Sequence, residues 1–207
     1  MENKTDKFLF VSQTADVVPF RYLGDELQIL LIRRSEYAKA FPNCWAICGG
    51  FMDKTDRDIY DAAARELKEE TGLAANKLYE IGAFTAKGRD PRGPVHSLAF
   101  ASPFGYEESS LAKPGDDAKD AAWFGVRLGE TVIDGHSSHS VATLFNSERH
   151  IVLKLVFTVS SGDYGVPRFE TKVDCVAGGT SLAFDHAEIL AQAFAKGSFL
   201  VSTPKGV

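Results

Sequence analysis

Residues Gly49–Leu73 read GGFMDKTDRDIYDAAARELKEETGL, and three glutamates gather near the end of this stretch. Its second half predicts an amphipathic helix, because Ile59, Ala63 and Leu67 repeat every four residues. Gly72 stands where a helix commonly ends, since glycine readily adopts the left-handed conformation of a C-cap. We expect the apolar face of this helix to pack on a sheet.

Three carboxylates crowd the C-terminal end of the predicted helix. Glu66 precedes Glu69 and Glu70 by three and four residues, so the side chains are neighbours. Each like-charge pair destabilises an isolated helix by about 0.2–0.5 kcal/mol, and Arg65 can offset part of that cost by pairing with Glu69. A solvated charged face is one interpretation. A bound Mg²⁺ or Mn²⁺ ion is the other, and it explains why the acids gather at the end that the helix dipole disfavours.

The same stretch resembles the Nudix box, G-x5-E-x7-R-E-U-x-E-E-x-G-U, in which U is a bulky aliphatic residue. The second half of that motif is matched in full by Arg65, Glu66, Leu67, Glu69, Glu70, Gly72 and Leu73. The resemblance implies an α/β protein with a Nudix-type α/β/α sandwich and a mixed β-sheet, which hydrolyses a nucleoside diphosphate linked to another group. It also implies that Glu66 and Glu70 are the main metal ligands, that Glu69 assists them, and that Gly50 belongs to the same site. Arg65 would orient the loop and helix through a salt bridge.

The first half of the motif departs from the family pattern. Asp56 stands where the family has glutamate, and eight residues rather than seven separate it from Arg65. Cys48 replaces a proline that relatives commonly have before the two glycines. We therefore expect Asp56 to support a reshaped loop and the metal site to be intact.

Other stretches resemble the ADP-ribose pyrophosphatase-like branch of the family. They are LLIRR (Leu30–Arg34), WAICGGF (Trp45–Phe51), GRDPRG (Gly88–Gly93), GDDA (Gly115–Ala118) and LAFDHAEIL (Leu182–Leu190). The resemblance covers roughly residues 16–126 and 182–196 and leaves out residues 127–181.

The GRDPRG stretch contains the predicted substrate contacts. Arg89 and Arg92 carry planar guanidinium groups that suit phosphate oxygens, and Asp90 would bind a ribose hydroxyl or hold an arginine in place. A surface turn punctuated by proline and glycine is the alternative. Arg34 is a weaker candidate of the same kind, and Phe41 is a candidate for stacking on adenine. Tyr37 and Trp45 are further aromatic candidates, with core packing favoured for Trp45.

Hydrolysis requires a base for the attacking water. Glu69 and Glu70 are catalytic candidates within the helix, and the branch often uses an acid on a later loop. Asp116 and Asp117 match that loop, with Asp117 slightly preferred and an exposed acidic turn as the alternative. Glu107 and Glu108 are reserve candidates. The histidines form no compelling site, and we expect His186 to be structural.

The length of 207 residues fits a single domain over residues 1–207. Within it, residues 127–181 read as an insertion, a β-hairpin of HIVLKLVFTV (His150–Val159) and PRFETKVDCV (Pro167–Val176) with a mobile lead-in. Residues 182–196 hold a C-terminal helix. Asp56 or Asp58 would cap the first helix, and Asp185 lies near the start of the last one.

Charge and composition limit the classes of partner that we expect for the chain. The net charge of −5 argues against nucleic acid as a partner, and no apolar run approaches the length of a membrane span. The three cysteines form no zinc-binding pattern, and buried reduced thiols fit a cytoplasmic protein. By resemblance we expect a homodimer that acts on a small-molecule nucleotide.

The leading functional hypothesis is a Mg²⁺-dependent (or Mn²⁺-dependent) hydrolase that cleaves ADP-ribose, or a related nucleoside diphosphate sugar, to AMP and ribose 5-phosphate. One alternative is a pyrophosphohydrolase that removes damaged nucleotides. A second, from another class, is a Nudix-fold sensor that binds ADP-ribose without turnover. Such regulators carry a winged-helix domain, whereas residues after 127 here read as a hairpin and one helix.

Overall fold

A computed structural model of the chain describes residues 9–115 and 118–199. The strands are β1 (Ser12–Leu23), β2 (Glu26–Arg34), β3 (Trp45–Ala46), β4 (Cys48–Phe51), β5 (Tyr79–Phe84), β6 (Val95–Pro103), β7 (Ala118–Leu128), β8 (Val132–Asp134), β9 (Ser137–Asn146), β10 (Ile151–Ser160) and β11 (Arg168–Ala177). The helices are α1 (Ile59–Thr71), α2 (Tyr106–Ser109) and α3 (His186–Ala195), and a 3₁₀ turn spans Asp163–Gly165. None of the helices in these ranges has the length and apolar character needed to span a bilayer.

All eleven strands belong to one mixed sheet. Its order is β11-β10-β9-β7-β2-β1-β6-β5, with β3 beside β2, β4 beside β1 and β8 beside β9. β1 and β6 run parallel, whereas β1 pairs with β2 and with β4 in antiparallel register. The parallel pair places the N-terminal half of β1, which includes Asp16, in the middle of the sheet.

Two apolar layers hold the helices on opposite faces of the sheet. α1 packs through Ala62, Ala63 and Leu67, in a cluster that includes Val17 and Leu30. On the other face, α3 contributes Ile189, Leu190 and Ala193 to a cluster that includes Phe124 and Leu153. The predicted α/β class and α/β/α sandwich are therefore confirmed.

The stretch CWAICGGF forms two short strands instead of one. The break falls at Ile47, whose amide donates a hydrogen bond of 2.8 Å to Nδ1 of His186 instead of joining a strand ladder. The side chain of His186, 139 positions further along the chain, therefore satisfies the Ile47 amide where the strand is interrupted.

The insertion contains more regular structure than the hairpin that the sequence predicted. The hairpin itself is present as β10 and β11, which pair from Val152 to Ser160. The predicted lead-in is wrong, because it contains β8 and β9. β9 pairs with both β7 and β10, so the insertion continues the central sheet. Its inward side chains, such as Leu155, are fully buried in the α3-side cluster.

The cysteines correct one expectation. All three are free thiols, and Cys48 is buried, Cys44 is half-buried and Cys175 is exposed. Burial raises the pKa of the Cys48 thiol well above its usual value. The prediction of buried thiols therefore holds for Cys48 and not for Cys175.

Candidate active site

Helix α1 begins and ends at residues that satisfy its free backbone groups. The side chain of Asp58, rather than Asp56, caps the N-terminus by accepting from the amides of Tyr60 and Asp61. Gly72 ends the helix in the left-handed conformation with φ of 74°, and its amide donates to the Lys68 carbonyl. These caps fix which residues form the last turn.

A loop covers the C-terminal end of α1. The amides of Lys113 and Gly115 donate to the carbonyls of Thr71 and Glu70 at 2.9 and 2.8 Å. A Cβ atom on Gly115 would lie 1.9 Å from the carbonyl oxygen of Glu69, so only glycine allows this approach. Two of the last carbonyls of the helix are thereby satisfied.

Arg65 joins the helix to the loop before it. Its Nε and Nη2 donate to the two carboxylate oxygens of Asp56 at 3.0 and 2.8 Å, and Nη2 also donates to the Phe51 carbonyl at 2.9 Å. Nη1 donates to Glu66 at 2.7 Å and to Glu69 at 3.1 Å. The shorter aspartate thus reaches Arg65 in spite of the extra residue, and one guanidinium group restrains the loop and two of the three glutamates.

The three glutamates differ in exposure. The side chain of Glu69 is 59% exposed, that of Glu66 is 15% exposed, and Glu70 is the most enclosed. Oε2 of Glu70 accepts from the Gly49 amide at 2.8 Å. Burial raises the pKa of Glu70 to about 8, and the negative charges of Glu66 and Asp16 act in the same direction.

The two glycines allow the backbone to approach these carboxylates. A Cβ atom on Gly50 would lie 2.5 Å from the carboxylate carbon and both oxygens of Glu66. Gly49 has φ of 156°, and a Cβ atom there would lie 2.3 Å from the Ala15 carbonyl oxygen. The glycine pair is therefore a steric requirement of this site.

The acidic cluster has the chemistry of a site for a divalent metal. Within residues 9–115 and 118–199, no three His, Cys, Asp or Glu side chains already surround a common point for an ion. However, Glu70 is a half-buried carboxyl group with no salt bridge to any described residue, and its Oε1 accepts no hydrogen bond from them. Its raised pKa shows that the described residues supply too little positive charge to stabilise the carboxylate form, and hard divalent cations prefer carboxylate oxygens. The donors present therefore fit Mg²⁺ or Mn²⁺.

A buried polar network lies behind the glycine pair, and it includes Asp16, a residue that sequence reasoning missed. Asp16 accepts a short hydrogen bond from the Ser97 hydroxyl, and its carboxylate lies 3.6 Å from Nη2 of Arg89. Burial raises its pKa, whereas Ser97 and Arg89 act to lower it. Nε2 of His186 lies 3.8 Å from the same carboxylate. The network supports the floor of the site.

Arg89, which was predicted to contact phosphate, has a carboxylate partner within the protein. Its Nε and Nη2 donate to the two oxygens of Asp185, each at 2.7 Å, and its side chain is 5% exposed. The fork that was expected to receive phosphate is therefore filled by a carboxylate 96 positions away. Asp185 has no side-chain hydrogen bond to the start of α3, so it holds Arg89 instead of capping the helix.

His186 is buried and neutral. Its Nδ1 accepts from the Ile47 amide, so the proton of the neutral ring is on Nε2, facing Asp16. Burial lowers the pKa of His186 to about 3. This agrees with the structural role that the sequence suggested.

Arg34 and Arg92 meet at an aromatic ring that the sequence did not single out. The guanidinium carbons lie 5.1 Å and 5.2 Å from the ring centroid of Phe184, and that of Arg92 also lies 4.5 Å from the ring of Phe51. Nε of Arg34 donates to the Ala40 carbonyl at 3.0 Å. Arg34 makes no salt bridge with the described residues, whereas Arg92 pairs with Asp90 at 2.7 Å.

Asp90 and Phe41 have partners of their own. Asp90 accepts from the amide and guanidinium of Arg92, which fits the second of the two roles suggested for it. Phe41 packs against Phe184 with ring centroids 4.7 Å apart. Its φ of 49° places this non-glycine residue in the left-handed region.

The acidic helix and two of the arginines line a common cleft of about 530 Å³, which we call the acidic cleft. Its lining includes Arg34, Arg92, Gly50, Glu66 and Glu70. A smaller pocket of about 50 Å³ adjoins it through Gly49, Gly50 and the two arginines, and it reaches Asp16, Phe184 and His186. Cavities of several hundred Å³ suit small-molecule ligands.

The remaining predicted residues lie at the rim of the acidic cleft, outside it, or beyond the described residues. Tyr37 is at the exposed rim of the acidic cleft, and Trp45 is buried against Phe124, so the core role favoured for it is confirmed. Glu107 and Glu108 belong to α2 and do not line the cleft. Asp116 and Asp117, the candidates for the base, lie outside the described residues.

Comparison with known proteins identifies the family. The NUDIX domain model matches residues 13–144, which is more than half of the chain. The chain therefore belongs to the Nudix family, as the acidic helix and its glycine pair predicted. The match ends before α3, so Phe184, Asp185 and His186 lie outside the matched region.

Two curated proteins are similar to part of the chain. The chain is 40% identical over 98 residues to an ADP-ribose pyrophosphatase of Methanocaldococcus jannaschii. The aligned residues are 47% of this chain and 54% of that protein. It is also 39% identical over 90 residues to the ADPR responsive transcriptional repressor NtrR of Acinetobacter baylyi. That alignment includes 42% of this chain and 35% of the repressor. The chain thus spans about half or less of the length of these curated relatives.

Solved structures agree on the fold. A MutT/nudix family protein from Enterococcus faecalis matches with a TM-score of 0.63 and 29% identity, over 91% of this chain and 62% of that one. The NUDIX domain of Shewanella oneidensis NrtR complexed with ADP ribose matches with a TM-score of 0.50 and 23% identity, over 59% and 77% of the two chains. At that identity the second likeness concerns the fold alone.

Proposed function

We propose that this Nudix protein hydrolyses the pyrophosphate bond of ADP-ribose, or of a related nucleoside diphosphate sugar, to AMP and ribose 5-phosphate. The observation that carries the proposal is the lining of the acidic cleft. Two guanidinium groups, on Arg34 and Arg92, share this cleft with the carboxylates of Glu66 and Glu70. A diphosphate needs cationic groups for its oxygens, and a metal-dependent hydrolase needs carboxylates for its ion.

The arginines that can bind the diphosphate are those whose N–H groups are not all used by partners among the described residues. Arg34 has no carboxylate partner among the described residues and offers its terminal nitrogens to a phosphate, while Arg92, which is also near Phe184, contributes further positive charge. Asp90 orients Arg92. Arg89 donates to Asp185 through Nε and Nη2, and we propose that it supports the wall of the site instead of serving as the main phosphate contact. Phe41 and Tyr37 are the aromatic groups proposed for the adenine.

Catalysis requires a held ion and a base. Glu66 and Glu70 would be the main ligands of Mg²⁺ or Mn²⁺, assisted by Glu69 and by the backbone of Gly50. When bound, such an ion polarises the phosphorus and lowers the pKa of the attacking water. Arg65 keeps Glu66 in place through the hydrogen bond of 2.7 Å.

We retain Asp117, with Asp116 as its neighbour, as the proposed base. Support comes from the preceding residue, because the Gly115 amide donates to the Glu70 carbonyl and so ties this loop to the metal-binding turn of α1. Replacing Asp117 by Asn while keeping Asp116, and the reverse, separates the two candidates. A loss of kcat confined to one variant identifies the base.

The substrate is tested by a panel. Purified protein with Mg²⁺ is given ADP-ribose, NADH, diadenosine polyphosphates and dNTPs, and the products are identified by mass spectrometry. AMP and ribose 5-phosphate from ADP-ribose support the proposal, and no turnover of ADP-ribose refutes the substrate assignment. Preferred turnover of dNTPs would instead support the role in removing damaged nucleotides.

The similarity to NtrR favours a second candidate, a sensor that binds ADP-ribose without cleaving it. Glu70→Gln distinguishes the two functions, because it removes a metal-binding charge and leaves the cationic side of the cleft. For an enzyme, this variant loses turnover and still binds ADP-ribose. A sensor binds ADP-ribose with no turnover even in the wild type.

A homodimer and a cytoplasmic location complete the proposal. Analytical ultracentrifugation tests the first, and cell fractionation tests the second. The proposed partners are a nucleotide substrate and a second copy of the chain, with neither nucleic acid nor membrane among them.

A further inference from the structure

Phe184 is held in an unusual conformation at the start of α3. Its φ of 51° lies in the left-handed region, which few non-glycine residues adopt. The neighbouring backbone is anchored, since the Ala183 amide donates to the Trp45 carbonyl at 2.8 Å and the Trp45 amide donates to the Ser181 carbonyl at 2.9 Å. This anchoring holds the ring of Phe184 in a fixed position.

The ring of Phe184 is shared by two cations. The guanidinium groups of Arg34 and Arg92 are both near it, at 5.1 and 5.2 Å from its centroid. These arginines come from the end of β2 and from the loop before β6, so sequence proximity does not bring them together. Phe41, 4.7 Å away, packs against the same ring and fixes it further.

Arg34 and Arg92 carry like charges near one ring, and Asp90 also pairs with Arg92. The π face of a phenylalanine attracts a guanidinium group without neutralising it, so Arg34, which has no carboxylate partner among the described residues, keeps its terminal nitrogens for a phosphate. Arg34 is half-buried, and both burial and the charge of Arg92 lower its pKa. Holding the guanidinium groups in place before the substrate arrives removes part of the entropy cost of binding.

We propose that Phe184 is a positioning residue that arranges Arg34 and Arg92 as a clamp for the diphosphate of the substrate. This inference rests on the proposed function and adds to it a residue 40 positions beyond the end of the family match. Phe184 acts through the two arginines and has no part in the chemical step. Its loss therefore weakens substrate binding and leaves the metal-binding glutamates in place.

The test compares Phe184→Leu, Phe184→Ala and Phe184→Tyr. Leucine keeps apolar bulk and removes the ring, whereas tyrosine keeps the ring. We expect KM for ADP-ribose to rise about 5- to 30-fold in the leucine and alanine variants, with kcat within about twofold of wild type and near-normal KM for tyrosine. Phe169→Ala is the matched control, because Phe169 is a half-buried ring on β11 that packs against the α3-side core.

Binding of inorganic pyrophosphate, measured by calorimetry in metal-free buffer, separates this inference from the proposed function. If wild type does not hydrolyse ADP-ribose but binds pyrophosphate more tightly than Phe184→Leu does, the substrate assignment fails and the clamp stands. If ADP-ribose is hydrolysed with the same KM by wild type and Phe184→Leu, the clamp is refuted alone. Equal KM values for the leucine and tyrosine variants, or a loss confined to kcat, also refute it. Wild type that binds neither compound overturns both proposals.

Discussion

Replacing Gly50 by alanine should impair catalysis far more than folding. The new Cβ atom would lie 2.5 Å from three carboxylate atoms of Glu66, whereas non-bonded heavy atoms normally approach to about 3.5–4.0 Å. The carboxylate must therefore move by about 1 Å, since ordinary contact is that much longer. This movement breaks the hydrogen bond of 2.7 Å from Arg65 that holds Oε1.

The expected magnitudes follow from this geometry. A displacement of about 1 Å in a catalytic group costs about 100-fold in rate, so we expect that loss in kcat for ADP-ribose. Gly50 is not among the glycines with positive φ, so alanine adds no backbone strain there. The free energy of unfolding should fall by only about 1 kcal/mol, the lower end of the cost of overpacking, because a side-chain end can shift.

Two other glycines provide controls. Gly24 has φ of 60° in the turn between β1 and β2, with open space around it, so Gly24→Ala should lower stability and leave kcat unchanged. Gly49→Ala would place its Cβ atom 2.3 Å from a backbone oxygen of β1, and it should be the least stable of the three. Urea unfolding, steady-state hydrolysis of ADP-ribose and Mn²⁺ affinity by electron paramagnetic resonance measure the differences. Wild-type kcat and Mn²⁺ affinity in Gly50→Ala would refute the reasoning.

Three further predictions concern stability. Burial lowers the pKa of His186 to about 3, against about 6.5 in the unfolded chain, so this group contributes a loss of about 2 kcal/mol of stability as the pH falls from 7 to 5. The raised pKa of Glu70 acts in the opposite direction over the same pH range, so the prediction concerns the difference between wild type and His186→Asn, which both keep Glu70. His186→Asn keeps an acceptor for the Ile47 amide, and on going from pH 7 to pH 5 its stability should change more favourably than that of wild type by about 2 kcal/mol; equal changes in urea melts contradict this. Asp58→Ala removes the side-chain cap of α1, so the free energy of unfolding should fall by about 1 kcal/mol, as measured by thermal unfolding. Lys54→Ala is the control, because Lys54 is exposed and does not cap the helix, and it should leave stability unchanged. Leu155→Ala should cost about 2–5 kcal/mol in one cooperative transition, because Leu155 on β10 is fully buried, while the exposed Lys154→Ala should cost under about 0.5 kcal/mol. A separate early transition in Leu155→Ala would show that the insertion folds independently.

The sequence predicted well wherever a local pattern sets the structure. The four-residue repeat of Ile59, Ala63 and Leu67 located α1, and Gly72 marked its end within one residue. The alternation in His150–Val159 located β10. These signals survive because the residues that form the pattern also face the core.

The sequence failed where a partner is distant in the chain. β9 contains three serines and was left within a lead-in, yet pairing with β7 and β10 on either side makes it a strand. The guanidinium of Arg89 has the chemistry for phosphate, and nothing near it in sequence announces Asp185. Asp16 belongs to no recognisable spacing, and the stretch LAFDHAEIL suggested no role for Phe184; only the folded chain brings both residues to the small pocket beside the acidic cleft.

The hydrogen bond between Ile47 and His186 closes a loop of 139 positions, and this has a consequence for how the protein becomes active during synthesis. Contacts between residues so far apart form late, because the chain must first order everything between them. On a ribosome, α1 and its glutamates emerge long before the segment that supplies Phe184, Asp185 and His186. A nascent chain therefore carries the glutamates, Arg34 and Arg92 before the ring of Phe184, which lies near both arginines, is in place. Under the proposed function, we expect tight binding of the nucleotide substrate to appear only after α3 has docked.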